Sequence, residues 1–287
     1  MHPILFEIPG LEFPIRTFGL MVVIGFLVGS SVLSKLATRY AGDPEADAAG
    51  YQALPIWLLL GILLGARMLY VIVEVGQGSE VGQSYLDSPL KIFAYWEGGL
   101  VMYGGVFGAV IGGWWCARKH KLSYSHAIDM GVVSSMVGLG LGRIGCLMVG
   151  DDFGSIVPEA YAGLPFPIIL HVPEVLKPDS LFGEANAGQV LWATQVWMSL
   201  NAFFLAYIGY RILKGRRYVG QAALWTGVFY AITRATIEVF RGDKIRGLWF
   251  NDTLSTSQLI SIVLLIVCGV LLYKNRSLRS EDPAPAP

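Results

Sequence analysis

The chain has 287 residues, of which 54% are hydrophobic and 15% are charged, and its mean hydropathy is +0.55. This composition excludes a disordered chain and a disulfide-rich secreted module, and it argues against a soluble globular domain. The 21 basic and 21 acidic side chains cancel to a formal charge of zero, so no basic field favours nucleic acid as a partner. The sequence therefore predicts an integral membrane protein.

Seven apolar runs are long enough to cross a bilayer, whose core of about 30 Å needs roughly 20 residues of helix. In chain order they are Phe18–Leu36, Leu54–Val73, Gly98–Cys116, Ala127–Met148, Val190–Ile208, Gln221–Phe240 and Leu254–Tyr273. These runs are continuous, whereas barrel strands would alternate polar with apolar residues. We predict an all-α polytopic membrane protein with about seven transmembrane helices.

The distribution of Lys and Arg predicts the orientation of these helices. Of the 21 basic residues, 12 fall in or beside the first, third and fifth connections and in the carboxyl-terminal tail. Cytoplasmic segments carry such an excess, so we predict an amino terminus outside the cytoplasm and a cytoplasmic carboxyl terminus. The first 17 residues do not have the pattern of a cleavable signal peptide.

Four segments follow from this arrangement. Residues 1–149 hold transmembrane helices 1–4, and residues 190–275 hold helices 5–7. Residues 150–189 are acidic, rich in Pro and Gly and too long for a simple connection, which predicts a small periplasmic head. Residues 276–287 resemble a disordered cytoplasmic tail.

One arginine lies in a glycine-rich segment at the outer end of the fourth span. Arg143 is surrounded by glycines at positions 138, 140, 142, 145, 150 and 154. A guanidinium inside a membrane costs roughly 2.5–3.5 kcal/mol unless it has a partner or a wet cavity. Two interpretations stay open: a phosphate-binding site to which glycine allows close approach, or helix packing in which Arg143 pairs with a carboxylate.

A second polar group lies on the sixth span. Tyr230, Arg234, Glu238 and Arg241 fall at offsets 0, 4, 8 and 11, which places them on one face of a helix. This pattern predicts a polar wall that faces the bundle interior, with Arg246 at the same outer leaflet as Arg143. A structural ion pair between Arg234 and Glu238 is the alternative.

Other polar residues give weaker signals. Tyr103 is either an aromatic residue at the membrane interface or a hydrogen-bond donor to the site. Arg67 is either structural or a third phosphate contact. Gly104 and Gly108 are interpreted first as glycines that allow close helix packing. His126 is expected to be solvated. No His or Cys cluster has metal-ligand spacing, so neither a metal nor a cofactor is expected.

Several segments are similar to those of the bacterial prolipoprotein diacylglyceryl transferase family. They are 14-PIRTFGLMV-22, 65-GARMLYVI-72, 96-WEGGLVMYGGVFGA-109, 142-GRIGCLMVGDDFG-154, 230-YAITRATIEVFR-241 and 255-STSQLISI-262. The resemblance covers nearly the whole chain and includes seven helices. It implies transfer of the diacylglyceryl group of phosphatidylglycerol to the lipobox cysteine thiol of preprolipoproteins, forming a thioether and releasing glycerol phosphate.

The resemblance also implies residue roles. Two essential arginines of the family are matched by Arg143 and Arg234. The residues that accompany them in the family are matched by Tyr230, Glu238 and Arg241. Tyr103 stands where some members have histidine. Predicted substrate-binding residues are Arg143, Arg241, Arg246, Tyr230, Gly104, Gly142, Gly145, Gly154 and Asp151. Fixed guanidiniums suit a phosphoester leaving group, and because arginine is a poor base, the candidate proton acceptors are Tyr103, Asp151 and Glu238.

The chain departs from the family at several positions. Phe18 replaces a tyrosine of the family, and Cys146 replaces an asparagine that many members have. Asp151 has a shorter side chain than the carboxylate often found at its position. The segment 192-WATQVWM-198 keeps only Thr194 and Gln195 of a longer family motif. A divergent, non-enzymatic member that binds anionic lipid or lipoprotein precursors is therefore the main alternative. A small-solute transporter is the other, although no internal repeat supports it.

Overall fold

A computed structural model of the protein describes residues 2–8, 13–95, 98–243, 247–249 and 253–278. Most of these residues are helical. The α-helices are α1 (Thr17–Tyr40), α2 (Ala48–Gln77), α3 (Glu80–Asp87), α4 (Met102–His120), α5 (Tyr124–Val149), α6 (Thr194–Lys214), α7 (Gln221–Glu238) and α8 (Thr256–Lys274). Short antiparallel strand pairs join β1 (Ile4–Ile8) to β2 (Phe13–Arg16), β3 (Ile169–His171) to β4 (Val190–Trp192), and β5 (Leu248–Trp249) to β6 (Leu254–Ser255).

Five helices, namely α1, α2, α5, α6 and α8, are long and apolar enough to cross a membrane. The predicted class, a helical membrane protein, is thereby confirmed. The other two predicted spans coincide with α4 and α7, which have 19 and 18 residues. Arg118 and Lys119 in α4, and Arg234 and Glu238 in α7, lower the mean hydropathy of these helices. The count of seven spans stays a prediction.

Two helices begin later than the apolar runs suggest, for identifiable reasons. Gly98 and Gly99 have φ of +81° and +73°, a left-handed conformation that cannot start an α-helix, so α4 begins at Met102. Residues 190–192 pair with β3 through main-chain hydrogen bonds, so α6 begins at Thr194. Apolar strand residues next to a span look like part of it in the sequence.

The chain forms two compact units, residues 34–127 and residues 1–33 with 128–287. In the first unit, α2 and α4 approach each other through glycines. A Cβ atom built on Gly108 would lie 1.9 Å from the carbonyl oxygen of Gly61, and one on Gly104 would lie 2.2 Å from that of Gly65. Gly104 and Gly108 are thus packing glycines, as predicted, because any side chain there would overlap the α2 backbone.

In the second unit, polar contacts connect α5, α6 and α7. Ser199 on α6 donates a hydrogen bond of 2.8 Å to the Gly140 carbonyl on α5. The fully buried Asp129 on α5 accepts hydrogen bonds from the backbone N–H groups of Gly220 and Ala223, both at 2.8 Å, and from the Arg216 guanidinium at 3.1 Å. Asp129 therefore satisfies free N–H groups at the start of α7, which that helix cannot satisfy itself.

The segment between α5 and α6 has a small apolar core of its own. Val172, Phe182 and Leu191 are buried there, and Phe153 packs against them. Strands β3 and β4 pair beside this core, and an isolated bridge joins Ile156 to Leu191. Because the chain folds back onto α5 through this segment, residues that follow Val149 lie close to the end of that helix.

Candidate active site

Arg143 lies in the last two turns of α5, and its partner comes from the turn that ends the helix. Gly150 adopts φ +82° and donates its N–H to the Cys146 carbonyl at 2.8 Å, which terminates α5. The chain then turns back, and Asp152, with φ +54°, accepts a hydrogen bond from Arg143 Nη1 through Oδ2. The alternative left open above, pairing of Arg143 with a carboxylate, is therefore present in the structure.

The same carboxylate also contacts Arg241. Asp152 Oδ1 lies 2.5 Å from Arg241 Nη2, while Asp243 accepts from Arg241 Nε at 2.8 Å and from Nη2 at 2.5 Å. Burial alone would lower the pKa of Arg241, but the hydrogen bond to Asp243 and the charges of Asp243, Glu238 and Asp151 raise it overall. Arg241 is thus a fixed cation, with 7% of its surface exposed.

Arg234 belongs to the same charge network. Its Nη1 donates to Glu238 Oε2, and its Nη2 donates to Ser257 Oγ on α8 at 2.9 Å. Glu238 Oε2 also lies 3.9 Å from Arg241 Nη1, and the Glu238 side chain is almost completely buried. One continuous series of ion pairs therefore connects the ends of α5 and α7 and the turns that follow them. In order along the series, its members are Arg143, Asp152, Arg241, Glu238 and Arg234.

Arg241 lies beyond the end of α7, which differs from the predicted single helical face. The helix ends at Glu238, and Arg241 instead forms an isolated bridge with Gly154. A Cβ atom on Gly154 would lie 2.2 Å from the Trp192 carbonyl oxygen, so only glycine allows this close approach of the backbone. The rings of Trp192 and Phe240, each next to this region in the chain, pack edge to face at 5.5 Å.

The remaining predicted site residues occupy varied positions. Tyr230 is half-buried one turn before Arg234, Gly145 packs against Met21 and Phe18 of α1, and Gly142 has open space where a Cβ would be. Tyr103 is 38% exposed at the start of α4, in the unit formed by residues 34–127. Arg246 lies outside the described residues.

Arg67 has a structural role, so the second of its two interpretations, a phosphate contact, is not needed. Its guanidinium donates to the carbonyls of Lys91, Ile92, Ala94, Gly98 and Gly99, at distances from 2.5 to 3.2 Å. Three tyrosine rings lie within 5.8 Å of its Cζ atom. Five donors with five acceptors saturate an arginine, which explains why a residue only 1% exposed carries a charge.

Asp151 differs from its neighbour because no ion pair among the described residues involves it. Its Oδ1 accepts a hydrogen bond of 2.9 Å from the Asp152 N–H. Burial and the negative charge of Asp243 raise the pKa of Asp151, and the charges of Arg143 and Arg241 oppose that shift only in part. The Asp151 carboxylate therefore holds a proton more strongly than an ordinary aspartate does.

One group of possible metal ligands occurs among the residues that the structure describes. Cys146 Sγ and a carboxylate oxygen from each of Asp151 and Asp152 lie within 4.8 Å of one another. The Asp152 carboxylate is already occupied by two guanidiniums, and a cation would have to displace them. A metal site here is therefore less favourable than the ion pairs that exist.

The sequence alone did not predict that Asp152, Asp243 and Ser257 accept hydrogen bonds from these arginines. Asp152 follows Arg143 by nine residues across a helix end, so no helical spacing connects them. Thr194, next to Gln195, donates to the Asp152 carbonyl at 2.9 Å. Gln195 is completely buried, and its amide has no hydrogen-bond partner within the described part of the chain. His126, expected to be solvated, is also buried, with Ser123 Oγ 2.8 Å from its Nδ1.

The fold and the site together define a helical membrane protein with clustered arginines where its helices end, an arrangement suited to an anionic group. A family model described as prolipoprotein diacylglyceryl transferase matches residues 3–274. The chain belongs to this family. It is 29% identical over 272 residues to the phosphatidylglycerol–prolipoprotein diacylglyceryl transferase of Geobacter sulfurreducens, covering 93% of this chain and 92% of that protein.

Two further relatives carry the same name and cover more of the chain. The protein of Gloeobacter violaceus is 27% identical over 284 residues, covering 98% of this chain and 96% of its own length. The protein of Rickettsia africae is 26% identical over 278 residues, covering 96% and 97%. The resemblance inferred from the segments is thereby confirmed along the chain.

Proposed function

We propose that this chain transfers the diacylglyceryl group of phosphatidylglycerol to the lipobox cysteine thiol of preprolipoproteins in the bacterial inner membrane. The observation that carries the proposal is the continuous ion-pair series from Arg143 through Asp152, Arg241 and Glu238 to Arg234. Membership of the family and the names of the relatives agree with it.

The arginines hold the phosphate in this proposal. Arg143 and Arg241 face the same carboxylate, so their donors converge on a position that two oxygens of one anion can occupy. Arg234 is held by Glu238 and Ser257 and adds positive charge as the leaving group gains electrons. The other predicted residues lie near these arginines: Gly142 and Gly145 flank Arg143, and Tyr230 precedes Arg234 by four residues. Gly154 forms an isolated bridge with Arg241.

The reaction is a displacement at the glyceryl carbon. The substrate thiol loses its proton, a sulfur–carbon bond forms, and the carbon–oxygen bond to the phosphate breaks, with glycerol phosphate leaving with the electron pair. The nucleophile belongs to the substrate, so Cys146 is not required. Asp151 is the proton acceptor that the site favours, because its pKa is raised and it carries no ion pair among the described residues. Glu238 is instead held between two arginines.

The topology completes the proposal. Seven spans place the amino terminus and residues 150–189 in the periplasm and the carboxyl terminus in the cytoplasm, so the ends of α5 and α7 that carry Arg143 and Glu238 lie at the periplasmic leaflet. Tyr103 and Gly104 stay site residues on the resemblance alone, and Arg246 stays one on its position in the chain after α7.

A complementation experiment tests the activity. The chain is expressed in a strain depleted of its own transferase, and the purified protein is assayed with labelled phosphatidylglycerol and a lipobox peptide. Growth and labelled peptide are expected, with Arg143→Ala removing both while the protein still inserts. Lipid binding without rescue or labelling would instead favour the non-enzymatic member, an alternative raised by the departures at Phe18 and residues 192–198.

A further inference from the structure

The Asp152 carboxylate bridges two arginines that come from distant parts of the chain. Its Oδ2 accepts from Arg143 at the end of α5, and its Oδ1 lies 2.5 Å from Arg241 Nη2 after α7. Each oxygen of the carboxylate therefore contacts a different guanidinium. Two oxygens of a phosphodiester would make the same pair of contacts, because carboxylate and phosphate bind arginine through equivalent geometry.

Of the two arginines, Arg143 depends more on Asp152 for its ion pair. Among the residues that the structure describes, it is the only carboxylate within ion-pair distance of Arg143. Arg241 in contrast keeps Asp243 at 2.5 Å and Glu238 at 3.9 Å when Asp152 is set aside. The Nη1 donor that Arg143 directs at Asp152 becomes available to another anion only when the Asp152 carboxylate moves away.

The surroundings of Asp152 allow its side chain to move while its backbone stays in place. The backbone is fixed on both sides of the residue: its carbonyl accepts from Thr194 Oγ1 at 2.9 Å, and its N–H donates to Asp151 Oδ1 at 2.9 Å. The side chains of Asp152 and Arg143 are 20% and 19% exposed, so an anion from outside can reach the pair. Rotation about the Asp152 side-chain bonds is sufficient to open the position.

We propose that Asp152 is an internal counter-anion that occupies the phosphate position until the lipid headgroup displaces it. This inference rests on the proposed function and adds a residue that determines headgroup affinity. Exchange of one anion for another lowers the apparent affinity for the lipid, since the phosphate must compete with a carboxylate held at high local concentration. The same competition helps glycerol phosphate to leave, because Asp152 returns to the guanidiniums after transfer.

The test compares Asp152→Asn with the wild-type full-length protein in lipid nanodiscs. Asparagine tolerates the left-handed backbone conformation, so the fold is kept while the charge is removed. Asp179→Asn is the matched control, because Asp179 also has a positive φ, of +63°, and pairs with an arginine, Arg16, at 3.3 Å.

The proposal predicts tighter anion binding once the internal competitor is removed. In Asp152→Asn, the KM for phosphatidylglycerol and the inhibition constant of glycerol phosphate are both expected to fall about tenfold, the effect of one lost charge-assisted hydrogen bond. In Asp179→Asn both constants are expected to stay at the wild-type values. Unchanged constants in Asp152→Asn, or loss of activity without a change in either constant, would mean that Asp152 is only a structural tie and would overturn the proposal.

A second measurement separates this inference from the proposed function. The increase in melting temperature caused by inorganic phosphate is expected to be larger for Asp152→Asn than for the wild type, whether or not the protein transfers lipid. Equal increases in the two proteins would contradict the role of Asp152. The two proposals can also fail separately. If the wild type transfers no lipid but phosphate still raises the melting temperature of Asp152→Asn more than that of the wild type, the proposed activity is rejected and Asp152 remains a competitor for anions.

Discussion

Replacement of Arg234 by lysine tests whether the forked shape of the guanidinium matters as well as its charge. Arg234 uses two different nitrogens, Nη1 toward Glu238 and Nη2 toward Ser257 Oγ at 2.9 Å. A lysine ammonium is a single point of donation and cannot keep both partners while it faces a phosphate. Arg234→Lys therefore keeps the charge and loses at least one hydrogen bond of the charged group.

The magnitude follows from that loss. A hydrogen bond to a charged group contributes about 1.5–3 kcal/mol, and each 1.4 kcal/mol is about a factor of ten in rate. We expect kcat/KM for transfer from phosphatidylglycerol to a lipobox peptide to fall about 10- to 100-fold in Arg234→Lys. Ser257→Ala removes only the neutral partner, and a decrease of a few fold is expected there.

Arg276→Lys provides the matched control for this substitution. Arg276 follows α8 and is exposed, with its Cζ atom 4.3 Å from the Tyr273 ring centroid, and it makes no contact with the ion-pair series. Transfer by Arg276→Lys is expected to equal that of the wild type. Wild-type kcat/KM in Arg234→Lys, or a larger loss in Ser257→Ala than in Arg234→Lys, would refute the reasoning from the fork.

Three further predictions concern the packing and the proton acceptor. Asp129→Ala removes the shared acceptor of two backbone N–H groups and of the half-buried Arg216 guanidinium, so a loss of about 3–5 kcal/mol in the free energy of unfolding is expected. An unchanged melting temperature in detergent would contradict this prediction. Asp151 must be ionised to accept a proton, and its pKa is raised. Transfer is therefore expected to fall as the pH decreases, with a midpoint above the usual aspartate pKa of about 3.9. A pH–rate profile measures this midpoint, and Asp151→Asn is expected to be inactive at every pH of the profile. Gly108→Leu forces a side chain into the α2 backbone and is expected to reduce the yield of folded protein, whereas Gly76→Leu, at a position with no atom within 4 Å of a built Cβ, is not.

The helical class could be predicted from the sequence because it depends on residue composition over long windows. Runs such as those of α2 and α8 exceed the length that a bilayer needs, and no tertiary contact is required to recognise them. The exact helix starts were wrong where local backbone conformation decided them. The left-handed Gly98 and the pairing of Val190 with His171 in β4 and β3 both delay a helix whose apolar composition begins earlier.

The candidate site was predictable only where a helix carries it. Arg234 and Glu238 are four residues apart on α7, and helical periodicity alone brings them together. Asp152 is connected to Arg143 and Arg241 by a turn and by a contact across 89 residues of sequence, and neither has a local signature. Arg67 shows the opposite difficulty: a buried arginine suggests a binding site, but only the surrounding carbonyls reveal that its donors are saturated.

The contact of Asp129 with the start of α7 has a consequence at the opposite ends of α5 and α7. Arg143 lies 14 residues further along α5, about 21 Å at 1.5 Å per residue, and Arg234 lies 11 residues beyond Ala223 on α7, about 17 Å. A helix transmits an axial shift along its length because its backbone hydrogen bonds make it stiff. The axial positions of the two guanidiniums are therefore coupled to the Asp129 contact, and we expect a substitution at Asp129 to shift one helix along the other and to move Arg143 relative to Arg234.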